Sequence, residues 1–154
     1  MLTSSQRSKI LVASAAAMIL GLGLVQGASP DPKDLTYKLP DQIQWRGSPG
    51  GPQQAILAGD PSKPGLYVML IKWPPHHMSR PHFHNTARYA TVLSGTWWVG
   101  TGTKYDPDST YPMKAGSFVT DIPNGIHYDG AKDEECVLEI TGMGPVTTTP
   151  AETK

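Results

Sequence analysis

The sequence predicts an all-β fold, a single antiparallel barrel or sandwich built from short strands. Three observations predict it. Fifteen Pro and sixteen Gly in 154 residues interrupt the chain too often for long helices. Between them run brief apolar, β-branched or aromatic stretches, of which Leu66 to Trp73 (LYVMLIKW) is the strongest. Beyond the N-terminus, no segment sustains a helical period.

The N-terminus stands apart from that fold. Arg7 and Lys9 precede an uncharged run of about sixteen residues, Ile10 to Val25, and Val25-Gln26-Gly27 ends in the small-residue pattern a signal peptidase reads. Residues 1–27 are therefore read as a secretory signal, with an uncleaved anchor as the rival. The expected location is periplasmic or secreted. The run is shorter than the ~20 apolar residues that span a bilayer as a helix. Residues 28–52 form an extended lead-in, with Pro30, Pro32 and Pro40 and the loop GSPGGP at its end.

The barrel itself is expected over residues 53–141. Gln53 to Ala58 makes a short strand, and Asp60 to Gly65 (DPSKPG) a loop. Leu66 to Trp73 is stopped by Pro74-Pro75. Tyr89 to Leu93 and Thr96 to Val99 flank Ser94-Gly95, a hairpin turn. Lys104 to Pro112 reads as a polar loop, Ser117 to Ile122 as a strand ending at Pro123-Asn124-Gly125, and Ile126 to Tyr128 as the start of the next. Asp129 to Glu135 reads as an acidic turn, and Cys136 to Thr141 closes the sheet. Residues 142–154, rich in Thr and Pro, read as a flexible tail.

Charge narrows the partners. Without Arg7 and Lys9, eleven basic residues face thirteen acidic ones, so the processed chain carries no electrostatic footprint for nucleic acid or anionic membrane. A small-molecule ligand is the expected partner. Cys136, the only cysteine, cannot form a disulfide within the chain and reads as a small buried hydrophobe.

His82-Phe83-His84 carries the most chemistry. Side chains alternate faces along a strand, so His82 and His84 present two imidazoles on one face. Neutral imidazole suits Zn, Fe, Ni, Cu and Mn. The one distant histidine, His127, follows a Pro-Asn-Gly turn and offers a third ligand. Taken alone, such a pair is weak evidence for metal and reads more readily as surface or loop polarity beside Pro81.

The frame around these histidines resembles the cupin superfamily. Its first motif runs glycine, five residues, HxH, three or four residues, glutamate, six residues, glycine; His82, His84 and Gly95 stand at matching places. Its second runs glycine, five residues, PxG, two residues, histidine, and Gly116, Pro123, Gly125 and His127 are similar to it. One residue is added before Pro123 and one is lost after Gly125, so His127 keeps its distance from Gly116. The resemblance implies a double-stranded β-helix (jelly roll), a possible pairing of barrels into a homodimer, and one divalent transition metal (Fe, Mn, Zn, Ni or Cu) held by His82, His84 and His127.

Two departures change the site. His76 replaces the leading glycine, and Arg88 replaces the glutamate that usually ligates the metal. Arginine cannot ligate a cation. Three-histidine sites occur in the thiol dioxygenase branch, so the resemblance still implies metal. Arg88 then has two readings: a substrate-binding cation that favours an anionic ligand, or an outward side chain paired with an acid on a neighbouring strand. The family covers oxygenases, isomerases and lyases, so the resemblance implies a small-molecule metalloenzyme without choosing the reaction. A non-enzymatic binding or sensing cupin, or a metal-free structural one, are the alternatives.

The remaining candidates are weaker. His76 and His77 follow Pro74-Pro75 and are expected on a loop at the barrel mouth. Glu139 alternates with Leu138 and Ile140, so it faces either solvent or the lumen as a further ligand or base. Adjacent Trp97 and Trp98 must point to opposite faces, so at most one lines a pocket. No nucleophile elbow or phosphate-binding loop is present in the sequence.

Overall fold

The computed structural model describes residues 29–153; the expected signal segment lies outside them. Residues 29–36 form a short unit of their own, and the barrel unit runs from Tyr37. No helix among the described residues is long and apolar enough to cross a membrane.

Among the described residues, twelve strands build the barrel unit: β1 (Arg46–Gly47), β2 (Gln53–Ala58), β3 (Gly65–Trp73), β4 (His77–Met78), β5 (His82–His84), β6 (Arg88–Ser94), β7 (Thr96–Thr101), β8 (Tyr111–Lys114), β9 (Phe118–Asp121), β10 (His127–Ala131), β11 (Cys136–Gly144) and β12 (Thr148–Pro150). One sheet orders β1-β2-β3-β11-β6-β9, the other β12-β5-β10-β7-β8, with β4 also paired to β10. All pairings are antiparallel. This is the jelly-roll arrangement that the family resemblance implies.

Period-two alternation fills the space between the sheets. Tyr67 and Met69 on β3, Ala90 and Val92 on β6, and Cys136, Leu138 and Ile140 on β11 are buried together, joined by Trp97 from β7. Their alternates point away: Glu139 pairs in register with Leu70 and Thr91 on the outer face. Glu139 is therefore neither a ligand nor a base of the lumen. Trp97 and Trp98 split as alternation requires; Trp97 is buried, while the Lys132 ammonium lies 4.1 Å from the Trp98 ring. Gly95 turns the β6–β7 hairpin at φ 69°, and a Cβ there would overlap the backbone of Glu135 and Cys136.

Several segments differ from the sequence reading, among them the lead-in, which carries a 3-10 turn, Pro40–Gln42, and strand β1, and His77, which opens β4 rather than lying on a loop. The polar loop Lys104 to Pro112 contains a 3-10 turn, Pro107–Ser109, and the first residues of β8. Asp129, assigned to an acidic turn, lies within β10 and is buried. The tail is the largest correction. β11 runs on to Gly144, and β12 then pairs with β5, setting Thr148 opposite His84 and Pro150 opposite His82. Its Thr- and Pro-rich composition carries no apolar alternation. What orders it is the open edge of β5, whose backbone groups need partners. Val146 packs on the core, and Glu152 pairs with Arg80, which stacks over Tyr105 at 3.9 Å.

Candidate metal centre

β5 and β10 bring the three histidines together. His127 is in register with His82, so the two rings leave neighbouring strands on the same face, and His84 follows one strand repeat later. One ring nitrogen of each histidine lies within 4.8 Å of the others'. Ring centroids are 4.4 Å apart for His82 and His127, 5.0 Å for His82 and His84, and 5.4 Å for His84 and His127.

Each ring is fixed by its other nitrogen. Nδ1 faces a backbone carbonyl in all three: Arg80 at 2.8 Å from His82, Thr147 at 3.0 Å from His84, and Gly125 at 3.0 Å from His127. A carbonyl only accepts, so Nδ1–H must donate, and Nε2 is left with its lone pair. Nε2 of His84 and of His127 are buried and have no hydrogen-bond partner. Buried polar atoms are rarely orphaned. Converging, partnerless imidazole acceptors with their tautomers set from behind are what a divalent transition metal requires, so the residues fit such an ion.

Burial also disfavours the charged form of His84 and His82. It lowers His84 to about 4, and the nearby Arg88 charge adds to the effect. His82 is lowered too, burial being the main cause. The sign of the consequence follows from proton counting. Between pH 6.5 and about 4 the unfolded chain binds a proton at His84 that the folded chain does not, so stability falls as pH drops through that window and is level above it. Melting scans of the metal-stripped protein should show this decline, and His84→Gln should reduce it. An unchanged decline in that variant would show that His84 is not its source.

Arg88 combines its two sequence readings. It faces the lumen, with its side chain 11% exposed, and it is paired with an acid on the adjacent strand, Asp121, in direct cross-strand register. Nε and Nη2 both donate to Asp121 Oδ2 at 2.7 Å. Asp121 is the residue that sequence reasoning missed. Its Oδ2 is 4.0 Å from His84 Nε2 and its Oδ1 is 3.5 Å from His127 Nδ1. The available signal was alternation within SFVTDI: Asp121 shares a face with Val119, which packs on the core.

Beside the histidines lies a cavity of about 540 Å³, lined on its polar side by His82, His84, Arg88, Asp129 and Ser79, and on its apolar side by residues that include Met69 and Ile140. Tyr67 also lines it, and its hydroxyl is buried without a partner. Asp129 Oδ1 accepts from the Ser79 hydroxyl at 2.7 Å. Thr148 and Pro150 of β12 close one wall. His76 and His77 stand outside the cluster: the His76 N–H donates to the Lys132 carbonyl at 2.6 Å, and His77 Nδ1 lies 2.9 Å from the Pro75 carbonyl. Burial raises the Cys136 thiol to about 12, which removes it as a nucleophile.

No family model matches the sequence, and no curated protein matches it. Solved structures do match the fold. The polyketide cyclase RemF from Streptomyces resistomycificus superposes with a TM-score of 0.63 at 14% identity, over 78% of this chain and 87% of that one. A cupin-2 domain protein from Rhodospirillum rubrum gives 0.60 at 13% identity, over 78% and 81%. A sugar phosphate isomerase of the cupin superfamily from Silicibacter pomeroyi gives 0.55 at 18% identity, over 73% and 80%. At these identities the likeness is one of fold: the chain is a cupin-type double-stranded β-helix.

Proposed function

We propose that the chain is an exported mononuclear metal-binding cupin that acts as a small-molecule metalloenzyme. One observation carries this reading: His82, His84 and His127, each held through Nδ1 by a backbone carbonyl, bring ring nitrogens within 4.8 Å of one another beside a cavity of about 540 Å³. That volume is within the range of small-ligand sites. Two of the similar folds are described as enzymes, a cyclase and an isomerase, and they support the class but not the reaction.

A bound divalent ion would supply Lewis acidity or redox capacity and polarise a ligand oxygen. Three neutral imidazoles leave its charge uncancelled, which favours an anionic substrate. Arg88 adds hydrogen-bond direction more than net charge, because Asp121 neutralises it. The Tyr67 hydroxyl can donate to a ligand oxygen in the cavity, and Asp129 has a second carboxylate oxygen to accept a proton. Export is proposed from the N-terminal segment. For a homodimer, the outer face of β3, β11, β6 and β9 offers exposed Leu66, Met143, Tyr89 and Phe118, the last two stacked at 6.3 Å.

The test is elemental analysis of the untagged, exported protein, followed by turnover assays on small carboxylic acids and thiols. About one equivalent of a transition metal per chain and turnover lost on chelation are expected. Metal without turnover would leave the binding or sensing module. No metal, and none taken up on addition, would overturn the reading.

A further inference from the structure

Taking His82, His84 and His127 as a metal centre, we propose that Asp121 is that centre's carboxylate, delivered from β9 in place of the acid that β6 lacks, and held just outside coordination by Arg88.

Register supplies the first support. Arg88 and Asp121 are directly opposed on neighbouring antiparallel strands, so their side chains leave the sheet side by side on the lumen face. An acid at the Arg88 position and an acid at the Asp121 position are separated by one strand spacing, ~4.8 Å. A carboxylate moved across that ladder can still point at the same place.

Distance supplies the second. Two atoms bound tetrahedrally to one ion at ~2.1 Å lie roughly 3.4 Å apart. Asp121 Oδ2 stands 4.0 Å from His84 Nε2, so a shift of about half an ångström would bring the pair within one coordination sphere.

The third is a mismatch of hydrogen-bond roles. With Nδ1–H donating to Thr147, His84 Nε2 is an acceptor, and the Asp121 oxygen facing it is an acceptor as well. Both side chains are buried, at 5% and 9% exposure. Two buried acceptors turned toward each other are satisfied by a shared cation. Arg88 satisfies Asp121, and nothing among the described residues satisfies His84 Nε2.

Asp121 could instead act only through His127, whose Nδ1 is 3.5 Å from Oδ1, or only steady Arg88. Co2+ titration of the full chain separates these roles, because visible absorption and X-ray absorption report ligand number. Arg88→Met releases Asp121; it should tighten Co2+ about tenfold or more, alter the d–d spectrum and add one oxygen ligand. Arg88→Met/Asp121→Asn should lose all three changes. Arg88→Gln, which keeps a donor but drops the charge, replaces Arg88→Met if that variant does not fold, with a smaller gain in the same direction. Identical affinity and spectrum in the single and double variants would overturn the proposal. So would a change in affinity with no added oxygen, which assigns the carboxylate to His127 instead. Failure of the wild-type chain to bind Co2+ would overturn the metal centre itself, and the role of Asp121 with it.

Discussion

His127→Ala should abolish stoichiometric metal binding, lowering affinity by at least about 100-fold, more than the 10–100-fold typical of losing an outer-shell partner. The size follows from where His127 sits. It is the only one of the three ligands that comes from β10, and its ring is 4.4 Å from His82 and 5.4 Å from His84, so it closes the triangle. Removing it leaves two imidazoles from one short strand, and no other histidine can reach them. His76→Ala is the control: His76 is held at φ 63° by its backbone bond to Lys132 and borders a separate surface depression with Tyr105 and Lys132. Competition against a chromophoric chelator measures both variants. Comparable losses in both would place the metal elsewhere.

How much of this was legible beforehand depends on the physical signal. β2 matches the strand read from sequence residue for residue, and the hairpin at Ser94-Gly95 is where the turn chemistry put it. Period two also placed His82 and His84 on one face. Alternation defines two faces but does not say which is inside, which is why Glu139 and Arg88 each had two readings. The lumen face of β11 is set by Leu138 and Ile140, and that of β6 by Ala90 and Val92, through contacts distant in sequence.

The tail and Asp121 were hidden for different reasons. β12 has no apolar pattern because it contributes backbone pairing to β5 rather than side chains to the core. Asp121 is a single acid at the end of a strand, indistinguishable in sequence from a solvated one. Its role depends on cross-strand register with Arg88, and register is a property of the folded sheet. The departure of Arg88 from the cupin pattern was visible; the compensating acid, thirty-three residues later, was not.

Asp121→Ala should cost the metal-free protein about 3–5 kcal/mol of stability, because it strands a guanidinium in the lumen. The Arg88 side chain is 11% exposed, and Asp121 Oδ2 is the acceptor its head group uses at 2.7 Å. For a domain of this size the loss corresponds to a fall in melting temperature of roughly 10–20 °C. Arg88→Met/Asp121→Leu removes both charges and keeps apolar volume, so it should recover most of the loss; pairs of this kind are often replaced at little cost. Urea unfolding of wild type, Arg88→Met, Asp121→Leu and the double variant, all in chelator, gives the coupling energy directly. Full loss in the single variant and recovery in the double assigns the energy to the Arg88–Asp121 pair. Persistent loss in the double variant would mean that Asp121 supports the histidines through His127 rather than through Arg88. A loss under about 1 kcal/mol would mean that water reaches the pair and screens it as it would a surface bridge.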